Sequence, residues 1–284
     1  MPEYPCPKKL HAKIHTVLSD LDTLPFVYRK LIKLLNSNYV SSRELGTVIS
    51  LDPSLSIRVL RMVNSAYYGL TQKVLSVAQA VNLLGLNVVR SLCFCLASYD
   101  TFFSANSEVE SKEWARAMRC GLIAKHLSRS LSIGKPEELF IAGVLHDVGY
   151  SILKKYAPKE YKLLRIGLKG RTDEEAERQL IGTTHSEIGA LACQAWRLPD
   201  LLVECVRCHH NPMACTTYPK AAALICLAAI CSSIPSLDGV EFHPESQEAI
   251  LLAELELAKS DLEQATQAAD QEQTVLEEFL EVHH

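Results

Sequence analysis

The chain has 284 residues, of which 48% are hydrophobic and 22% charged, a balance typical of a globular protein and not of a disordered one. No stretch reaches the roughly 18 apolar residues of a membrane span, and the N-terminus lacks the apolar run of a secretory signal, so we expect a cytoplasmic protein without a membrane partner. The net charge is −4, but residues 241–284 carry 12 acidic residues and one Lys. The preceding 240 residues carry 28 Lys and Arg against 21 Asp and Glu, an excess too mild to predict nucleic-acid binding.

Helix signals dominate the first hundred residues. Asp52 and the proline after it are typical of a helix start, with a capping side chain and then proline in the first turn. This helix is expected to run to about Asn64. Ser76 caps a second predicted helix, which Gly85 ends. Residues 87–98 are apolar on most sides and predict a buried helix.

The rest of the chain also favours helices, because apolar residues recur at spacings of three and four and alternating runs are scarce. An amphipathic helix is predicted over 112–131, and Pro136 begins another. The predicted fold class is all-α. We expect a smaller helical subdomain over 1–106, a second helical domain over 107–240, and an acidic C-terminal helix over 241–284.

The acidic tail has the clearest periodicity, an a/d pattern over about four heptads. Its positions are Leu251, Leu255, Ala258, Leu262, Ala265, Ala269, Glu272, Leu276 and Phe279. One interpretation is a long helix that packs on its own domain. The other is a coiled coil with a partner or a second copy, which would make the chain a homodimer or a structural oligomer.

The ten cysteines do not predict disulfides in a cytoplasmic protein, and those in apolar helices are expected to be small buried hydrophobic residues. Cys205 and Cys208 followed by His209 match the Cys-x-x-Cys-His string of haem attachment. Covalent haem requires export, so haem is not expected. The same cysteines with Cys215 and a histidine offer an alternative, a closed structural zinc site.

Five residues in one ordered series could carry chemistry: His146 and Asp147, then His185, then His209 and His210. Imidazole and carboxylate groups are the usual ligands of Zn, Fe and Mn. A metal held by them would activate a water and polarise a phosphoryl oxygen. The alternative is a set of unrelated core and surface histidines.

The order of these residues resembles the HD phosphohydrolase superfamily. Upstream, residues 50–69 and 84–92 are similar to the HDOD domain, a bacterial signalling relative of that superfamily, as are Trp114 and the segment 196–199. The resemblance covers about residues 15–235. It implies an HD-like helical domain preceded by a smaller helical subdomain, with a regulatory or scaffolding role in bacterial signal transduction.

Two departures from the catalytic pattern of the superfamily affect the expected function. Arg116 stands where the first histidine ligand would be, and Ala229 stands where the last aspartate would be. Two of the four ligands that the resemblance implies for the principal metal are therefore missing. Arg116 also brings a fixed positive charge to a cation site, where it could hold an anion or pair with Asp147.

We therefore expect a regulatory, non-catalytic module that binds a signalling protein in trans or a small signalling ligand. The alternative is a metal-dependent phosphohydrolase that acts on a nucleotide or a cyclic dinucleotide, with Asp147 as the catalytic residue that orients water. In either case His146, Asp147, His185 and the pair 209–210 could hold one divalent Fe, Mn or Zn ion.

Overall fold

A computed structural model describes residues 7–19, 25–35, 37, 40–64, 70–102, 108–168, 174–237 and 240–280. The described residues form α-helices with short connections and contain no strand, which confirms the all-α prediction. The helices of the N-terminal part are α1 (Pro7–Ser19), α2 (Phe26–Leu35), α3 (Ser42–Ser50), α4 (Pro53–Val63), α5 (Val77–Leu84) and α6 (Leu86–Phe102). Those that follow are α7 (Glu108–Leu131), α8 (Pro136–Leu145), α9 (Val148–Tyr156), α10 (Pro158–Leu168), α11 (Glu174–Ile181), α12 (His185–Ala195), α13 (Asp200–Cys208), α14 (Pro219–Ser232), α15 (Gln247–Glu254) and α16 (Lys259–Leu280).

The helix ends predicted from local signals are present. The Asp52 side chain accepts a hydrogen bond from the Leu55 amide at 3.0 Å and caps α4, which ends at Asn64. Ser76 caps α5 in the same way. Gly85 ends α5 with a φ of +89°, a left-handed conformation that favours glycine.

Helix α7 is the centre of the fold, and it packs against α8, α14 and α16. Its contact with α8 is close because glycines face each other: a Cβ on Gly143 would lie 2.5 Å from the Gly121 Cα atom. The N-terminal helices join this bundle through α6 on α8 and α1 on α12. The buried hydrophobic residues of both parts form one large cluster. The domain boundary predicted near residue 106 lies outside the described residues.

The C-terminal tail is two helices, α15 and α16, and not the single uninterrupted helix that the heptad pattern predicts. The chain turns at residues 255–258, where Glu256 has a φ of +55°. Helix α16 then packs on α7 of the same chain. The buried positions of the pattern are Leu251, Leu255, Leu262, Ala265, Ala269 and Glu272.

This packing corresponds to the first interpretation of the tail, a helix on its own domain. Ala258 is exposed in the turn, and the side chains of Leu276 and Phe279 lie outside the described part. A homodimer built on the same heptad positions would have to displace α16 from α7. Among the described helices, none combines the length and apolarity needed to cross a bilayer.

Candidate metal centre

The centre of the site is the turn between α8 and α9. His146 follows the last residue of α8, and Asp147 precedes the first residue of α9. The turn lies directly against α12, since a Cβ on Gly149 would be 1.9 Å from the backbone oxygen of His185. Glycine at this position therefore allows α9 to approach α12 closely, which brings Asp147 to the start of the helix that carries His185.

Four of the five residues predicted as ligands converge. One Asp147 oxygen, Oδ1, lies 3.3 Å from Nε2 of His185 and 3.5 Å from Nε2 of His209. Nε2 of His210 lies 3.1 Å from Nε2 of His185. The candidate ligand atoms of these four residues all lie within 4.8 Å of one another. We call Asp147, His185, His209 and His210 the His–Asp cluster.

The fifth predicted ligand, His146, lies at the other carboxylate oxygen. Its Nε2 is 3.2 Å from Oδ2 of Asp147, and the residue is 1% exposed. That nitrogen has no hydrogen-bond partner among the described residues. His146 thus borders the His–Asp cluster but is not one of the four residues whose ligand atoms converge.

Two residues of the site were missed by the sequence analysis. Glu177 on α11 is fully buried, and its carboxylate accepts from the backbone amide of His185 at 2.7 Å and faces Nδ1 of the same residue at 2.9 Å. Tyr150 on α9 donates its hydroxyl to Glu177 and stacks on the His185 ring, with centroids 4.1 Å apart. Together they hold the ring of His185 in place.

The hydrogen bonds on Nδ1 determine which nitrogen of each ring faces the cluster. Nδ1 of His146 is 2.7 Å from the Gly143 oxygen, and Nδ1 of His209 is 2.8 Å from the Val206 oxygen. A carbonyl only accepts, so both Nδ1 atoms carry hydrogen, and Glu177 imposes the same state on His185. In the neutral state the Nε2 lone pairs of these three histidines face Asp147 or another Nε2. Such convergence of acceptors calls for a proton or a cation between them.

The pKa values of the histidines show the same requirement for positive charge. Burial lowers the pKa of His146, but the Asp147 carboxylate outweighs burial and raises this pKa to about 10. His185 is also buried, and Asp147 with Glu177 raises its pKa to about 9. Burial and the neighbouring histidines lower the pKa of His209 and bring that of His210 to about 2. The cluster therefore attracts positive charge at some of its nitrogens and excludes it from others.

Arg116 supplies a permanent positive charge to the site. From α7 its Nη2 donates to Oδ2 of Asp147, which matches one of the two roles expected for this residue. Burial would raise the pKa of Asp147, but His146 and Arg116 outweigh burial and hold that pKa well below its usual value. Ala229, at the second departure, lies partly buried on α14 and packs against the main core without offering a ligand atom.

Comparison with known proteins identifies relatives of this chain. An uncharacterized protein of Treponema pallidum (strain Nichols) is 26% identical over 242 residues, which is 81% of this chain and 45% of the relative. The chain spans less than half the length of the curated relatives it matches.

Two solved structures share the fold of this chain. Their sequence identities to it are no higher than 24%, so the similarity shows the fold alone. A protein of Shewanella amazonensis SB2B, named as a candidate phosphohydrolase, superimposes with a TM-score of 0.77 at 23% identity and covers 95% of this chain and 98% of its own. An HDOD domain protein of unknown function from Geobacter sulfurreducens has a TM-score of 0.67 at 24% identity, with 93% and 99% covered. The HDOD domain model matches residues 21–212, about two thirds of the sequence, so this chain belongs to the HDOD domain family.

Proposed function

We propose that this chain is a non-catalytic regulatory module of bacterial signal transduction. It acts by binding a signalling protein in trans or a small signalling ligand. The observation that carries this proposal is the contact between Arg116 and Asp147. In a metal-dependent hydrolase the corresponding aspartate must give its negative charge to the metal ions, whereas here a guanidinium takes up one of its oxygens.

The guanidinium weakens a catalytic metal in two ways. It repels a divalent ion at the neighbouring carboxylate oxygen, since two like unit charges about 4 Å apart interact by about 4 kcal/mol at an effective dielectric constant of about 20. It also replaces a neutral imidazole, so the site loses a ligand. A metal that is held by fewer ligands and faces a fixed cation is a poor activator of water.

The His–Asp cluster nevertheless fits one divalent cation. Asp147, His185, His209 and His210 would hold it, because their ligand atoms converge and because Nδ1 carries the hydrogen in His185 and His209, which leaves Nε2 free to bind. Glu177 would then act as the outer carboxylate that orients His185. In a regulatory module such an ion stabilises the junction of α9, α12 and α13.

The alternative is a metal-dependent phosphohydrolase that acts on a nucleotide or a cyclic dinucleotide. The same four residues support it, and the fold is shared with a protein named as a candidate phosphohydrolase. In that case the four residues would hold an ion that would lower the pKa of a bound water. Asp147 would orient this water, and Arg116 would face the phosphoryl oxygens. This alternative mechanism requires Arg116 to break its contact with Asp147 when substrate binds.

The experiment measures metal content and hydrolysis in the same preparation. Protein purified without a nickel column is analysed by mass spectrometry for Fe, Mn and Zn, and is then assayed with cyclic dinucleotides and with bis-p-nitrophenyl phosphate. We expect at most about one equivalent of metal and no hydrolysis above the level of His185→Ala. His243→Ala is the matched control, because His243 is exposed and its Nδ1 accepts from the neighbouring Glu245 amide, outside the cluster. Turnover that is lost in His185→Ala but kept in His243→Ala would establish the phosphohydrolase and refute the regulatory proposal.

A further inference from the structure

Two of the buried cysteines lie apart from the main hydrophobic cluster. Seven of the nine cysteines in the described residues pack within the main cluster, as expected for small apolar side chains. Cys208 and Cys215 instead form a separate small cluster with Ala222, bordered by Tyr218. They are 5% and 2% exposed. Packing within the main cluster therefore does not account for these two thiols, which share a small cluster of their own.

A carboxylate completes the group. One oxygen of Glu204 and the sulfurs of Cys208 and Cys215 all lie within 4.8 Å of one another. Glu204 and Cys208 are four residues apart on α13, so their side chains share a helix face. Cys215 reaches them because the chain reverses after α13 through a short 3-10 helix at Pro212–Ala214.

We propose that Glu204, Cys208 and Cys215 form a second metal site, which takes a zinc ion. Thiolate sulfur is a soft ligand that selects zinc over magnesium, calcium or manganese, and a carboxylate oxygen completes many zinc sites. The site differs from the closed zinc site considered for Cys205, Cys208, Cys215 and a histidine, because Cys205 packs in the main core.

The distances require only a small adjustment. Tetrahedral zinc with bonds of about 2.3 Å to sulfur places two sulfurs about 3.8 Å apart, so the thiols need to close by about 1 Å at most from the 4.8 Å limit. Glu204 is 28% exposed and can turn toward the sulfurs. Its Oε1 lies 3.3 Å from Nε of Arg207, and the second oxygen can serve as the ligand. The exposed side leaves a fourth position for water.

A metal here would fix the segment that carries two residues of the His–Asp cluster. His209 and His210 directly follow Cys208, and the turn is already held by a bond from the Asn211 amide to the Cys208 oxygen at 2.9 Å. The zinc ion would tie both ends of this turn together, and binding would release the two thiol protons to solvent. The proposal stands whether or not the His–Asp cluster holds a metal.

Cobalt is the probe, because thiolate ligands give Co²⁺ an intense charge-transfer absorption in the near ultraviolet that imidazole and carboxylate do not give. The full chain is reduced, stripped of metal and titrated with Co²⁺ without oxygen. We expect the band to saturate within about two equivalents, since the His–Asp cluster can take one Co²⁺ that does not contribute to the band, and to bleach when Zn²⁺ is added. The band is kept in His185→Ala, so failure of the His–Asp cluster to bind metal does not affect this result.

The variants identify the ligands. Cys208→Ser and Cys215→Ser are each expected to abolish the band, and Cys226→Ser is the matched control, a buried cysteine of the main core that keeps it. Glu204→Gln, on a partly exposed side chain that does not endanger folding, is expected to weaken Co²⁺ affinity at least about tenfold. No band in the wild-type chain, or a band that survives both cysteine replacements, would overturn the proposal. Unchanged affinity in Glu204→Gln would refute the role of the carboxylate.

Discussion

Replacing Arg116 with glutamine removes the fixed charge beside Asp147 while keeping a side chain of similar length that can still donate a hydrogen bond. In the wild-type chain the guanidinium donates to Oδ2 of Asp147, and the opposite oxygen faces His185 and His209. If Arg116 is what keeps a divalent ion from the His–Asp cluster, the glutamine variant binds that ion more tightly. We therefore expect a gain of metal affinity from a substitution that removes a positive charge.

The size of the gain follows from the geometry. A divalent ion on one carboxylate oxygen and a guanidinium on the other are about 5 Å apart, which gives a repulsion of about 7 kcal/mol at an effective dielectric constant of about 20. The Arg116 side chain is 37% exposed, so solvent screens much of this repulsion. An effective dielectric constant of about 60 leaves about 2 kcal/mol. That energy corresponds to an affinity about thirtyfold higher.

The assay is a titration of metal-free protein with Mn²⁺, followed by calorimetry or by electron paramagnetic resonance of the free ion. Arg165→Gln is the matched control, because Arg165 lies on α10, is 49% exposed and forms a long ion pair of 3.9 Å with Glu113. Its affinity for Mn²⁺ should stay that of the wild-type chain. Equal or weaker binding in Arg116→Gln would show that the guanidinium does not compete with the metal, and the electrostatic basis of the proposed function would fail.

The remaining predictions concern protons and packing. Mn²⁺ affinity should rise as the pH increases toward 9, because the proton that the raised pKa of about 9 keeps on His185 must leave before metal binds; a flat profile measured by the same titration would contradict this competition. Gly149→Ala should lower the free energy of unfolding by at least about 3 kcal/mol, since its Cβ would lie 1.9 Å from a backbone oxygen of α12. Gly46→Ala on α3, with nothing within 4 Å, should instead stabilise by up to about 1 kcal/mol in the same urea titration. Glu272→Ala should cost about 3–5 kcal/mol because it leaves a buried lysine of α7 unpaired, whereas Glu263→Ala, in an exposed pair on α16, should cost less than about 0.5 kcal/mol. Equal losses in the two glutamate variants would refute the buried ion pair.

The sequence predicts local features of the fold well, because their causes are local. The side chains of Asp52 and Ser76 cap helices through neighbours three residues away, and Gly85 ends a helix by its own backbone conformation. The residues of the His–Asp cluster were also predictable, since ligand types in a fixed order mark a site even before their distances are known. Whether the cluster binds metal stays a prediction.

What the sequence does not predict depends on contacts between distant elements. Glu177 lies in an acidic run that is typical of an exposed first turn of a helix, yet it is fully buried under His185. Only the packing of α11 and α12 gives it a role. The break in the tail has a similar origin: Glu256 adopts a positive φ without a glycine or proline to signal it, and the turn lets α16 return to α7.

Glu272 also acquires its role from a contact between distant elements. As a charged residue in a heptad position it weakens the predicted coiled-coil seam, because a carboxylate facing an apolar partner helix would be costly. In the structure its two oxygens face Lys125 at 2.6 Å and His126 at 3.2 Å on α7. Glu272 would destabilise the apolar seam of a dimer, whereas on its own chain it forms specific contacts with α7. The charge that argues against the coiled coil therefore argues for docking in cis.

The charge balance at the candidate metal centre favours a site that is stable without metal. Arg116 and the protons held by His146 and His185 supply three positive charges, against two negative charges on Asp147 and Glu177. A cation that enters the cluster must displace the proton on His185 and remain beside Arg116. A hydrolase that depends on metal gains nothing from such competition, because each proton and fixed charge weakens the metal it needs. A regulatory module gains a buried polar junction between helices that keeps its structure whether the metal is present or absent.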